Sequence, residues 1–510
     1  MDRLSILACG HNRLAQLREN PPRPTYLISN LHYAMESKTM PLARHRFSTA
    51  DQERFGSLSG DHNPLHMDPV AARRLVTGRT VVHGIHTLLH MLEALPEQVD
   101  WIRGQIECEF LSPVCVGDEV VIAAAPGLDG ARVFIASVEA LPCTRITLTS
   151  NQMAPEPPTS GAEAQSSPHS STPQERAPES WVGQRLRVDL PGSSFASHFP
   201  RACARLGERR VAALALLSYF VGMECPGQHS IFASLAFHAS KVSDGVDFHV
   251  RSFHSKYRQF QIEFGGSVSG VIKAFVRTPP QEQPFTADLL PGIRAQEFEG
   301  FNAWVIGGSR GLGELAAKIL GAGGADVTLT YSSGAADAQR VAQDINEAGR
   351  GRASARRLDI AHDDLRSWVQ GSAAPDAVFY FATPRIYRKK PAEFQPSLLS
   401  EFLDFYVYKL EALCRALEHH KNDRPFTLFH PSTVFIEDRP KGMAEYAIAK
   451  AAAEVLVTEL PRWLRQVRVI NRRLPRLSTD QTATLFSNGL TTNLDVLLPL
   501  VREVMGSVKA

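Results

Sequence analysis

The apolar run Ala303-Trp-Val-Ile306 leads directly into Gly307-Gly-Ser-Arg-Gly311-Leu-Gly313 and then into the helical stretch Glu314–Leu320. Few folds can use such a passage. Glycines let the backbone turn sharply and come close to a bound anion, and the helix start then offers unpaired N–H groups and the positive end of its dipole. A glycine-rich turn alone can be no more than a tight connection. Its place between a strand pattern and a helix pattern makes it a candidate phosphate cradle. Around it, the strand-like runs Ala303–Ile306, Val327–Tyr331, Ala377–Phe381, Phe426–Phe429 and Val467–Asn471 alternate with helical patterns. That alternation predicts an α/β domain with a Rossmann-type, doubly wound parallel sheet.

A second anchor lies downstream, at Tyr446-Ala-Ile-Ala-Lys450. Positions i and i+4 share a helix face, so phenol and ammonium point into one site. A nearby cation favours the phenolate, which suits a tyrosine that exchanges a proton. A surface Tyr/Lys pair is the bland alternative, but two anchors in this order are harder to obtain by chance. Together they resemble the short-chain dehydrogenase/reductase family over about 200 residues. The resemblance implies Tyr446 and Lys450 as catalytic residues, with a serine upstream. Ser432 and Thr433 both follow the strand Phe426–Phe429; Ser432 is preferred, although the family's strict spacing points to Thr433.

The resemblance also implies a nicotinamide cofactor held by Gly307, Ser309, Arg310, Gly311, Leu312, Gly313, Ser332, Asp359, Lys450 and Thr479. An NAD-selective site usually places a carboxylate after the second strand, on the ribose 2′-hydroxyl. Here that strand ends Thr330-Tyr331-Ser332-Ser333, and Arg310 stands in the glycine turn, so NADP(H) is expected. Asp359, after Ala355–Leu358, matches the family residue beside the adenine ring. The chain departs from the family where Tyr380-Phe381-Ala382-Thr383 replaces Asn-Asn-Ala-Gly. Tyr406 stands near the place of a missing asparagine, and Pro475-Arg476 replaces Pro-Gly. These changes bear on the nicotinamide pocket and the proton relay.

Far upstream lies Ser59-Gly-Asp61-His-Asn-Pro64-Leu-His66-Met-Asp68, followed by Val81-Val-His83-Gly84. Asp61 and His66 flank a proline-containing turn that can bring carboxylate and imidazole to one water. The competing account is that Asp61, Asn63 and Asp68 only cap turns. It leaves the downstream His83-Gly84 unexplained. The string resembles the MaoC-type hydratases, which include (R)-specific enoyl-CoA hydratases. The resemblance implies Asp61 and His66 as the catalytic pair and Gly84 as the backbone N–H donor to a thioester oxyanion. Phe110-Leu-Ser-Pro113-Val-Cys-Val-Gly117-Asp118-Glu matches the same family. A metal site from His83, His86 and His90 is a rival, but no acidic or sulfur ligand joins them at suitable spacing, so no metal is expected.

The remaining sequence sets the organisation. The stretch 153–179 is rich in Pro, Ser, Glu and Ala and reads as a flexible linker. Residues 279–285 carry three prolines and read as a short second linker. The expected domains are therefore 1–152 (an N-terminal extension of some forty residues plus a hot-dog domain), 180–278 and 286–510. In the middle segment, the apolar stretch Val211–Met223 precedes alternating runs at Asp247–Phe253 and Gln259–Phe264, which suits a buried helix wrapped by antiparallel strands. Glu224-Cys-Pro226-Gly227-Gln-His-Ser230-Ile231-Phe weakly resembles the segment after a hot-dog central helix. No dyad precedes it. A degenerate second half, completing an α+β double hot-dog, is the expectation.

A formal net charge of +2 in 510 residues gives no general attraction to nucleic acid or anionic membranes. Seven scattered cysteines without a CxxC pair suit reduced thiols and a cytoplasmic protein. The implied substrates are acyl-CoA or acyl-carrier-protein thioesters, and a homo-oligomer, a dimer, is expected. The combined resemblances imply NADPH-dependent reduction of a 3-oxoacyl thioester and interconversion of 3-hydroxyacyl and trans-2-enoyl thioesters. The alternatives are tailoring of a specialised acyl or polyketide chain, or a hydratase with a nucleotide-binding but weakly active reductase module.

Overall fold

A computed structural model describes residues 40–75, 77–97, 104–127, 131–149, 165–192, 194–386, 393–420, 424–480 and 492–509. The N-terminal extension up to residue 39 and linker residues 153–164 lie outside them. Contacts divide the chain into two units. One holds the described residues up to His62, with Val82–His254 and Gln259–Phe275; the other holds Asn63–Val81, Ser255–Arg258 and Val276 onward. The segment Asn63–Val81, expected within the first domain, thus groups with the C-terminal part of the chain.

The first unit is built on one sheet of eleven strands. They are β1 (Ala43–Arg46), β2 (Gln105–Phe110), β3 (Glu119–Ala125), β4 (Arg132–Val138), β5 (Leu141–Thr149), β6 (Gln165–Ser166), β7 (Arg185–Asp189), β8 (Ser230–Ala239), β9 (Gly245–His254), β10 (Gln259–Gly265) and β11 (Val268–Val276). Their order is β1-β3-β4-β5-β2-β8-β11-β10-β9-β7-β6. The two halves join where β2 runs antiparallel to β8, with Ile106 opposite Phe237 and Cys108 opposite Leu235. Each half supplies one long apolar helix, Gly84–Ala94 and Glu208–Tyr219. Every residue from Val211 to Tyr219 is buried, as a helix enclosed by a sheet requires. Burying each Leu or Val side chain there contributes about 1.5–3 kcal/mol.

Part of the composition-based linker is ordered. Gln165–Ser166 pairs with β7, and Gln174 N donates to Met223 O at 2.8 Å. Arg176 lies over the Trp181 ring, and Trp181 is buried. Local composition misses this because the apolar surface that holds the segment belongs to distant strands and helices.

The second unit carries a six-stranded parallel sheet: β12 (Asn302–Ile306), β13 (Asp326–Tyr331), β14 (Arg352–Arg357), β15 (Ala377–Tyr380), β16 (Phe426–Thr433) and β17 (Val467–Leu474). The order β14-β13-β12-β15-β16-β17 reverses direction of build between β12 and β15, which is where doubly wound sheets bind ligands. Alternation along β12 feeds two cores. Ala303 and Val305 pack with Leu315, Ile319 and Leu497 on one face, and Trp304 and Ile306 pack with Leu410, Leu413 and Val457 on the other.

Candidate active sites

In the second unit, the carboxyl ends of the strands surround a cavity of 530 Å³. Gly307 leaves β12 with φ +82°, a conformation that favours glycine. A Cβ on Gly313 would lie 2.2 Å from Gly307 O, so only glycine lets the helix Gly311–Ala322 start this close to the strand. Its first-turn N–H groups have no intrahelical acceptor. Every cofactor residue expected from sequence lines this one cavity: Gly307, Ser309, Arg310, Gly311, Leu312, Gly313, Ser332, Asp359, Lys450 and Thr479. Arg73, from the segment Asn63–Val81, lines it too, and its Nη1 is buried without a hydrogen-bond partner. A glycine cradle together with an unpaired buried guanidinium nitrogen fits a phosphorylated dinucleotide.

Ser432, Thr433, Tyr446 and Lys450 line the same cavity. Tyr446 and Lys450 project from the helix Ala444–Trp463, and both are buried. Lys450 Nζ donates to Pro431 O at 2.8 Å and lies 4.1 Å from the centroid of the Tyr406 ring. Burial lowers the Lys450 ammonium to about 7, opposed by the charge of Glu454. Tyr406 sits in a π-helical turn, Asp404–Tyr408, where its hydroxyl pairs with that of Thr383. Its ring meets Tyr446 edge-on at 5.9 Å. Two of the departures noted in the sequence therefore contact each other beside the Tyr/Lys pair.

Ser432 and Thr433 both line the cavity, and their hydroxyls have different partners. Ser432 Oγ donates to Glu454 Oε1 at 2.5 Å, and Glu454 is held by Arg473. Thr433 Oγ1 instead accepts from Phe435 N at 3.2 Å, which leaves its own hydrogen to be given to a ligand. Sequence spacing pointed to Thr433; the carboxylate that engages Ser432 could not be read from it.

In the first unit, Asp61 is buried beyond the end of the helix Thr49–Ser59. Ser218 Oγ donates to Asp61 Oδ2 at 2.7 Å, and a Cβ on Gly222 would lie 2.3 Å from Asp61 Oδ1. Both residues come from the second half of the sheet unit, and neither was identified from sequence. His83 Nε2 donates to Asp61 O at 3.0 Å. Gly84 opens the helix Gly84–Ala94, so its N–H belongs to a first turn, and the Phe110 ring packs against its Cα side. His86 stacks on Phe55 and contacts Gln52 Oε1 at 3.2 Å, whereas His90 stacks on His45. His86 and His90 also contact each other, with ring centroids 4.9 Å apart, and both pack against Phe47 and Phe199.

His66 lies in the segment Asn63–Val81, five residues beyond Asp61 in a turn that Asn63 caps. Its Nδ1 donates to Val81 O at 2.7 Å, which leaves the lone pair on Nε2. Burial lowers its pKa to about 4, opposed by the bond to Val81 and aided by the Arg277 charge. It is a neutral imidazole at physiological pH, as a base must be.

Comparison with known proteins bears on both regions. The model of the MaoC like domain family matches residues 32–127. An (R)-specific enoyl-CoA hydratase of Aeromonas caviae is 41% identical over 81 residues, 15% of this chain and 58% of the relative. The chain therefore spans little more than half the length of that relative. Among solved structures, a short-chain dehydrogenase of Salmonella enterica serovar Typhi is 21% identical, with a TM-score of 0.38 over 42% of this chain and 92% of its own. A protein of Shigella flexneri 2a, described as a short-chain dehydrogenase and complexed with NADP, is also 21% identical, with a TM-score of 0.37 over 42% and 93%. Residues 32–127 of this chain carry a MaoC-like hot-dog domain.

Proposed function

We propose that the chain is a bifunctional acyl-thioester enzyme. Its C-terminal region reduces a 3-oxoacyl thioester to the 3-hydroxyacyl form with NADPH, and its MaoC-like region interconverts 3-hydroxyacyl and trans-2-enoyl thioesters. The observation that carries the reading is one cavity lined by the glycine cradle, Thr433, Tyr446 and Lys450. In it, Thr433 polarises the ketone oxygen and Tyr446 gives that oxygen a proton. Lys450 favours the phenolate that remains and returns a proton to it. Bound NADPH supplies the hydride to the carbonyl carbon.

In the MaoC-like region, Asp61 and His66 act on one water. Its oxygen bonds to C3 of the enoyl group, one of its protons is taken up by the pair, and C2 receives a proton in return. The Gly84 N–H stabilises the thioester oxygen as charge gathers there. The 41% identity to an enoyl-CoA hydratase over 81 residues supports this chemistry and favours a coenzyme A thioester.

The second half of the eleven-stranded sheet has its own long helix and completes a double hot-dog whose chemistry resides only in the first half. A reductase that is chiefly a nucleotide-binding module is the second reading, favoured by Tyr406 covering Lys450. Incubation with crotonyl and acetoacetyl thioesters of coenzyme A and of acyl carrier protein, with and without NADPH, tests both activities. Hydration of crotonyl and reduction of acetoacetyl thioester are expected. NADPH binding without any reduction leaves the second reading.

A further inference from the structure

The segment Asn63–Val81 lies inside the stretch matched by the MaoC-like family, yet it is fastened to the nucleotide-binding unit. Arg310 in the glycine turn donates from Nη1 to the backbone carbonyl of Arg73. Arg74 pairs with Asp337 in the helix that follows β13. Arg385 donates to Thr77 O at 2.5 Å at the segment's other end. These bonds place Arg73 over Gly334, where a Cβ would lie 2.6 Å from Arg73 Nη1. Gly334 immediately follows Ser332-Ser333, the turn after the second strand, which is where a dinucleotide's adenosine ribose is read. Arg73 lines the same cavity as Arg310 and Ser332, and its Nη1 is buried with no hydrogen-bond partner. A buried guanidinium nitrogen without an acceptor is costly unless a ligand completes it.

We propose that Arg73 is a cofactor-specificity residue, which together with Arg310 binds the 2′-phosphate of NADP(H). The inference rests on the NADPH reading above and adds to it. The phosphate site is built from two stretches of chain, one of which belongs by sequence to the MaoC-like domain. Arg310 alone is poorly disposed for the task. Its Nη1 is given to the Arg73 carbonyl and lies 3.8 Å from Asp480, which draws on the same charge. Arg73 brings a second fork of N–H donors, matched to a phosphate dianion.

The test is equilibrium binding of NADPH, NADH and 2′,5′-ADP to the full chain and to Arg73→Ala, Arg73→Gln and Arg310→Ala, with thermal unfolding of each variant as a check on folding. Arg73→Ala and Arg73→Gln are expected to weaken NADPH and 2′,5′-ADP roughly 10- to 100-fold, as loss of a charged hydrogen bond does, while NADH changes less than about two-fold. If either folded Arg73 variant binds NADPH as the parent does while Arg310→Ala loses its preference, the proposal fails and the NADPH reading stands. Equal weakening of NADPH and NADH also overturns it. A parent chain that binds NADPH no better than NADH overturns both.

Discussion

The Ser218 hydroxyl donates to Asp61 Oδ2 at 2.7 Å, although 157 positions separate the two residues. Ser218 stands on the helix of the half that lacks a dyad. That half therefore has a use, which is to orient the carboxylate of the other. Gly222, one helical turn on, closes the same carboxylate in: a methyl group there would lie 2.3 Å from Oδ1 and 2.6 Å from Oδ2. Ser218→Ala is expected to lower hydration of crotonyl thioester about ten-fold, the worth of one hydrogen bond to a charged group. Gly222→Ala displaces Asp61 and is expected to lower it about 100-fold or more. NADPH affinity is the internal control and should be unchanged. Full hydration activity in Gly222→Ala would show that this carboxylate need not stay where it is.

Asp61→Asn and His66→Ala should each abolish measurable hydration while leaving NADPH binding intact. Loss of a positioned acid/base group typically costs about 100- to 10,000-fold. Steady-state hydration of a short trans-2-enoyl thioester is the measurement. Near-normal rates in both variants would remove the dyad from the mechanism.

The pH profile of hydration follows from His66. Its pKa is lowered to about 4 by burial, so the neutral imidazole persists through pH 5–7, where an ordinary histidine would be acquiring charge. The value of kcat/KM is expected to stay level from pH 7 to pH 5 and to fall toward pH 4. Stability moves the same way. The unfolded chain binds the proton first, so His66 contributes stability above its unfolded pKa of about 6.5 that is lost as pH falls toward 4. An acid limb centred near 6.5 in a still-folded enzyme would place the titration on another group.

How much of this was legible follows from the range over which each feature is encoded. The glycine cradle and the Tyr446/Lys450 pair are local: a strand, a turn and one helix face settle them, and the structure places all of them on one cavity. The segment 63–68 is read the same way, because Asn63 caps its own turn and Val81 orients His66 from only fifteen residues away. Ser218, Gly222 and Arg73 escaped because their partners lie far along the chain, and no short pattern marks them. The linker reading of 153–179 failed from residue 165 on for the same reason. The partner of Ser432 was not legible either, because Glu454 becomes its acceptor only once the helix Ala444–Trp463 is packed.

Arg310→Ala should weaken NADPH by about ten-fold or more and NADH little, measured by titration of intrinsic fluorescence. A guanidinium–phosphate pair is charge-assisted and is absent from NADH. Equal losses for both cofactors would mean that Arg310 only shapes the turn.

In the proposed reductase, Thr433, Tyr446 and Lys450 remain while the surroundings of the relay have changed. Thr433 has a hydrogen to give and Ser432 has given its own to Glu454, so Thr433→Ala should cost more in kcat than Ser432→Ala. Tyr446→Phe should remove reduction with NADPH affinity nearly unchanged, since the phenol acts in the transition state. Burial lowers Lys450 to about 7, so its ammonium is lost as pH rises through that value. The cation that favours phenolate and resupplies the proton disappears with it. Reduction of acetoacetyl thioester is therefore expected to be greatest below pH 7 and to decline from pH 7 to 9. The Tyr406 ring, 4.1 Å from Nζ, favours the charged form, so Tyr406→Leu should move that decline to lower pH. A profile level to pH 9, or one that Tyr406→Leu leaves in place, would show that Lys450 does not govern proton supply.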